Sequence, residues 1–257
     1  MIEVEGLTKV YGDFVAVSGL SFTVKPGELL GLVGPNGAGK TSTLRCCSGI
    51  IPPTSGRIRV CGHDLSQDPV AAKRQLAFFS DEPRLFEYLT VRQHLVFTGR
   101  LYQVPDAADR IPRILEELDL MSKGDQMPGE LSRGMKQKVA IACGLLHSPQ
   151  VVFFDEPLTG LDPLAIRRMK DTIRRLSAEG AAIVLSSHLL HLLEELCTHV
   201  LFLKNGRKVA HGTLTEVRSL FALGGPGESL EEVFLRIAEG EEEIPPTLPA
   251  TVPPPLP

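Results

Sequence analysis

Three short, nearly continuous apolar runs punctuate the chain: Leu29-Leu30-Gly31-Leu32-Val33, Val151-Val152-Phe153-Phe154, and Ala181 to Ser186. Runs of this length without alternation predict strands of a parallel sheet covered on both faces. Elsewhere the pattern changes. Ile2 to Val4 and Phe14 to Val24 read as strands around the turn Tyr11-Gly12-Asp13, and Arg57 to Cys61 alternates after Pro52-Pro53-Thr54-Ser55-Gly56. Val200 to Ala210 predicts a hairpin around Asn205-Gly206.

Helical spacing takes over from about Leu85 to Leu146. Val91, Leu95, Thr98 and Tyr102 share one face, as do Ile111, Leu115 and Leu118, and later Met135, Val139, Ala142 and Leu146. Asp162-Pro163 starts a further helix, with the stripe Ile166, Met169, Ile173 and Leu176, and Gly180 stops it. Leu189, Leu192, Leu193 and Leu196 line the next one, and Lys40 to Ser48 can also be helical. The fold class is therefore α/β, a βαβ core interrupted by an all-helical insert of residues 85–146. One folded domain is expected over residues 2–235. Residues 236–257 are acidic and then carry seven prolines in the final thirteen, a composition too poor in apolar groups to order itself.

With 257 residues and 43% hydrophobic content, the chain can bury a sizeable core. A net charge of −4, from 27 basic and 31 acidic side chains, gives no basic footprint, so no nucleic acid is expected. No apolar run approaches the roughly 18–20 residues that span a bilayer. The start, Met1-Ile2-Glu3-Val4-Glu5, lacks the pattern of a signal peptide. Five cysteines (46, 47, 61, 143 and 197) without C-x-x-C spacing read as buried free thiols in a reducing cytosol.

The candidate chemistry begins after the first apolar run. Gly34-Pro35-Asn36-Gly37-Ala38-Gly39-Lys40-Thr41 fits G-x-x-x-x-G-K-[ST] between a strand and a helix. Such a turn aims backbone N–H groups and a helix N-terminus at one point. Gly34, Gly37 and Gly39 let the backbone approach a phosphate, Lys40 reaches the β- and γ-phosphates, and the Thr41 hydroxyl ligates Mg²⁺. Phe153-Phe154-Asp155-Glu156 brings two carboxylates to the end of a buried strand, on the side where the glycine turn also lies. Asp155 can hold Mg²⁺ and Glu156 can polarise an attacking water. Leu131-Ser132-Arg133-Gly134-Met135-Lys136-Gln137 adds a helix start with Ser132 as N-cap, a second place for an anion.

These motifs, in this order over residues 2–235, resemble the ATP-binding cassette (ABC) family. That resemblance implies a P-loop NTPase cassette: a mixed RecA-like core sheet, an N-terminal antiparallel β-subdomain and an inserted α-helical subdomain. It implies that Leu131 to Met135 stands for the signature L-S-G-G-Q, with Arg133 and Met135 as departures. Thr159-Gly160-Leu161-Asp162 stands for the D-loop, His188 for the switch histidine, and Tyr11 for the aromatic ring stacked on adenine. Asp81 stands where the family has a glutamine that contacts Mg²⁺ and the water, a second departure. The resemblance implies ATP and Mg²⁺ as cofactors, and a homodimer or paired cassette in which Ser132 and Gly134 serve the ATP of the opposite chain. It also implies separate transmembrane permease subunits as partners and a place on the cytoplasmic face of the cell membrane. Ser229 to Phe234 and Ser-x-Gly-Met-x-Gln look like the ABC-2 type exporter branch. Two alternatives are a soluble ABC ATPase acting on ribosomes or DNA, and a weakly hydrolysing regulatory subunit.

Overall fold

The computed structural model describes residues 1–158, 163–221, 231, 232, 234 and 235. From the N-terminus its strands are β1 (Ile2–Tyr11), β2 (Phe14–Val24), β3 (Leu29–Val33), β4 (Ser55–Val60), β5 (His63–Asp64), β6 (Leu76–Phe79), β7 (Val151–Asp155), β8 (Ala182–Ser186), β9 (His199–Lys204) and β10 (Arg207–Thr213). Its helices are α1 (Lys40–Cys47), α2 (Pro69–Arg74), α3 (Val91–Leu101), α4 (Ala107–Glu117), α5 (Arg133–Leu145), α6 (Pro163–Ala178), α7 (Leu190–Leu196) and α8 (Leu214–Phe221). Two sheets result. One is antiparallel, in the order β2-β1-β4-β5. The other, β10-β9-β3-β8-β7-β6, is parallel except for its β9–β10 hairpin.

The unbroken apolar runs have the predicted cause. Leu30, Leu32, Val151 and Phe153 face the core beneath the antiparallel sheet and α1. Leu29, Val33, Val152 and Phe154 face the opposite core, under α6 and α7. Each central strand is thus covered on both faces, and apolar side chains fill both until the carboxyl ends, where buried Asp155 and Ser186 stand. Asn205 and Gly206, at φ 50° and 73°, make the tight β9–β10 turn.

Some boundaries differ from the sequence pattern. β1 runs well past Val4, because register shifts between Val4 and Val10 interrupt the alternation that reveals a strand. The insert is not helical from Leu85. α3 starts at Val91, where Thr90 accepts from the Gln93 N–H and Gln93 reaches back to Thr90. The insert has its own core, with Val91, Leu95, Ile111, Leu115 and Val139 buried together. It meets the large sheet at Gly144 of α5, where a Cβ would lie 2.4 Å from the Phe79 ring. The expectation of five buried thiols needs correction. Cys46, Cys47 and Cys197 are buried, whereas Cys61 and Cys143 are only partly so. Cys61 follows the end of β4 at the sheet margin, where its Sγ lies 3.6 Å from Gln150 Oε1.

Candidate functional site

Residues 34–39 join β3 to α1. Gly39, at φ 103°, is the N-cap of α1 and supplies no side-chain cap, so the first N–H groups of the helix face the turn. The glycines answer to packing as well as to phosphate approach. A Cβ on Gly34 would sit 2.3 Å from the Leu203 carbonyl oxygen, and one on Gly39 would sit 2.4 Å from that of Ala16. Gly37 has open space around it and is selected by its φ of 80°. The turn is thereby pressed between β9 and β2. Lys40 curls back over it, donating to the Gly34 carbonyl at 2.6 Å and the Pro35 carbonyl at 3.1 Å. Burial lowers the Lys40 pKa, opposed by the nearby carboxylates of Glu156 and Asp155.

β7 lies two strands from β3, with β8 between them, and all three end on one side. There Thr41 Oγ1 donates to Asp155 Oδ1 at 3.2 Å, and Ser186 Oγ donates to the same oxygen at 2.8 Å. Asp155 is buried, and burial raises its pKa against these two hydrogen bonds. A buried carboxylate and a hydroxyl in contact are the oxygen set that a hard dication takes when phosphates complete its shell. Among the described residues no cluster of three or more His, Cys, Asp or Glu competes for such an ion. The residues present fit Mg²⁺.

Glu156, next in the chain, adopts φ 53°, a left-handed conformation that costs a non-glycine residue about 1–3 kcal/mol. Its N–H is tied to the Ser186 carbonyl and hydroxyl, each at 3.2 Å. Its Oε2 lies 2.8 Å from His188 Nδ1. The turn at β7 therefore points Asp155 and Glu156 in different directions while keeping both beside Lys40.

The remaining predicted residues are spread around this centre. Asp81 borders a cavity of about 570 Å³ that also reaches Asp155. Its carboxylate accepts from Arg133 Nη2 at 2.7 Å. Ser132 caps α5 through the Met135 N–H at 3.3 Å. Ser132 and Gly134 border a separate cleft against α6, with Arg168. Tyr11 ends β1 opposite Phe14, is 46% exposed, and has Lys9 Nζ 4.9 Å from its ring centroid. Asp162 lies outside the described residues. Two participants had not been singled out. Ser186 holds Asp155, and buried Gln137 donates to the Pro157 carbonyl at 2.7 Å, tying α5 to the chain just after Glu156.

The profile of the family described as ABC transporter matches residues 17–159. The chain belongs to this family. It is 34% identical to the ABC-type transporter ATP-binding protein EcsA of Bacillus subtilis (strain 168), over 93% of this chain and 97% of that one. It is 40% identical to Nod factor export ATP-binding protein I of Paraburkholderia xenovorans (strain LB400), over 82% and 70%. A solved ATP-binding subunit of an ABC transporter superposes with a TM-score of 0.87 at 36% identity, over 92% of this chain and 99% of that one. A dimeric ATP-binding cassette bound to ADP and Pi, MJ0796, shares the fold, with a TM-score of 0.76 at 22% identity over 83% and 99%. The cassette is thus an ABC transporter ATPase subunit with the expected P-loop fold, antiparallel sheet and helical insert. No helix among its described residues is long and apolar enough to cross a membrane.

Proposed function

We propose that the cassette hydrolyses Mg²⁺-ATP at the carboxyl ends of β3, β7 and β8 to drive an exporter. The convergence of Thr41 and Ser186 on one Asp155 oxygen, beside Lys40 and the Glu156–His188 pair, carries this reading. Residues 34–41 hold the phosphates, with Lys40 turning from its loop carbonyls to the β- and γ-phosphates. Thr41 and Asp155 hold Mg²⁺, which neutralises phosphate charge when bound. Glu156 accepts the proton of the attacking water, and His188 keeps its carboxylate aimed. Tyr11, on the hairpin whose Ala16 presses on Gly39, offers the adenine a ring face. Export as the direction follows relatives whose names specify it.

Ser132 and Gly134 serve the ATP of a second cassette. Gly134 sits in the first turn of α5, where alanine would suit a helix better, and none of the described residues lies within 4 Å of a Cβ there. The space favours an approach from outside. An apolar groove between the core and the insert, about 470 Å³ and including Phe86 and Leu101 at 58% and 62% exposure, would take a helix of a membrane-spanning subunit. Docking there holds the cassette at the cytoplasmic face of the membrane.

Lys40→Ala tests the assignment, because no other cation in the loop replaces the lost charge. Affinity for ATP, measured by calorimetry, is expected to fall more than about tenfold, as for a lost hydrogen bond to a charged group. Nearly unchanged binding sinks the phosphate-loop assignment.

A further inference from the structure

Arg133 is the first residue of α5, a place where a cation opposes the partial positive charge of the helix N-terminus. The first turn of α5 contains no acidic residue to offset it. The compensation comes from another part of the fold. Asp81, in the loop that leaves β6 of the core sheet, offers its Oδ1 to Arg133 Nη2 at 2.7 Å, with its carbonyl oxygen at 3.5 Å. Both side chains are about half exposed, 50% and 46%, so the pair is easily exchanged for a better partner.

A triphosphate at the start of α5 is such a partner. It brings more negative charge than one carboxylate and several acceptor oxygens, which suit the two-pronged donor geometry of a guanidinium. We propose that Arg133 is a phosphate-sensing residue held in reserve by Asp81. When a second copy presents its ATP to Ser132 and Gly134, Arg133 leaves Asp81 for the terminal phosphate. The inference rests on the reading of α5 as a binding site in trans. Its consequence lies in the Asp81 loop. That loop borders the cavity that reaches Asp155, and the neighbouring Phe78, Phe79 and Arg84 border both that cavity and the apolar groove. Release of Asp81 would tell the groove in one chain that ATP is held against that chain's α5.

The test uses the full chain carrying Glu156→Gln, with Mg²⁺-ATP, and reads the dimer dissociation constant by sedimentation. The parent is expected to dimerise with ATP and not with ADP. Asp81→Asn removes the competitor and should tighten the dimer about two- to fivefold per site, the range of an exposed ion pair. Arg133→Met removes the phosphate contact and should weaken the dimer about tenfold per site. In the double variant Asp81→Asn should change nothing further, because its effect runs through Arg133. A pair that merely straps the insert to the core predicts a different pattern, in which both single variants weaken the dimer alike, and that result overturns the proposal. So does an unchanged dimer with Arg133→Met. Arg133→Lys, which keeps the charge without the fork, should fall between parent and Arg133→Met and guards against a folding defect. A parent that stays monomeric with ATP overturns the trans reading itself, and does so before either residue is altered.

Discussion

His188 Nδ1 lies 2.8 Å from Glu156 Oε2, and the His188 backbone N–H donates to the same oxygen at 3.3 Å. One carboxylate oxygen is thus gripped twice from the segment after β8, while the backbone of Glu156 is held at φ 53° by Ser186. A strained residue fixed at both ends is a pre-aimed residue. Glu156→Gln should keep ATP binding and lower hydrolysis on the order of 10²–10⁴-fold, since an amide cannot accept the proton of the water. His188→Ala leaves the carboxylate but loosens its aim, and should cost up to about 10²-fold. Phosphate release beside ATP affinity checks both. A Glu156→Gln protein that still turns over at the wild-type rate removes Glu156 from the reaction.

Gly134 and Gly144 stand ten residues apart on α5 and should respond oppositely to a methyl group. At Gly144 a Cβ meets Phe79 at 2.4 Å, and Phe79 is itself stacked on Phe154 at 5.0 Å. Gly144→Ala overpacks this junction and should lower stability by about 1–3 kcal/mol. Gly134→Ala meets nothing among the described residues and should raise stability by up to about 1 kcal/mol while lowering ATP-dependent dimerisation. Urea unfolding of both variants, with sedimentation of the second, checks the pair. A dimer unaffected by Gly134→Ala means that nothing approaches the helix there.

Legibility in the sequence followed the range of the interaction. The strands covered on both faces, the glycine turn before Lys40 and the hairpin at Asn205-Gly206 are each specified within about ten residues, so local pattern reveals them. β5 and α2 are two and six residues long, too short for a period to show, although Asp68-Pro69 does carry a cap and a first-turn proline. Contacts between distant segments left no local mark. Ser186 on Asp155 spans 31 positions, Arg133 on Asp81 spans 52, and Gln137 on Pro157 spans 20. Asp81 and Arg133 each look like an isolated departure until the fold brings them together. The sequence pattern also assigned Gly34 and Gly39 to phosphate approach, whereas their tightest neighbours are the carbonyls of Leu203 and Ala16.

His211 on β10 has its pKa pushed down to about 4, first by burial, then by Lys208 and His199, with Glu28 and Glu216 opposing. An unfolded histidine titrates near 6.5. Between those values the unfolded chain binds a proton that the folded chain refuses. Stability is therefore undiminished by this group above about pH 6.5 and falls as pH drops towards 4, the loss being roughly 2 kcal/mol by pH 5. His211→Gln should flatten the acid side of the stability curve by about that amount, measured by urea unfolding from pH 7.5 to 5. Parallel curves for the two proteins would assign the acid sensitivity to other groups.

Ser132 can be separated from a simple helix cap by mixing two inactive proteins. Its hydroxyl accepts from the Met135 N–H at 3.3 Å, so as a cap alone its loss costs about 1 kcal/mol of stability and spares catalysis. If it serves the opposite ATP, Ser132→Arg blocks the site made with the partner's phosphate loop. Ser132→Arg and Lys40→Ala should then each be inactive as homodimers. In a mixed dimer one site combines both lesions, and the other joins an intact Lys40 to an intact Ser132. Random pairing makes half of the dimers mixed, each with one good site of two, so the mixture should recover roughly a quarter of the wild-type rate. Steady-state phosphate release over a titration of one variant into the other measures this, and the maximum should fall near equal amounts. A Ser132→Arg protein that is active alone, or a mixture that never exceeds the average of its components, would place the nucleotide within one chain.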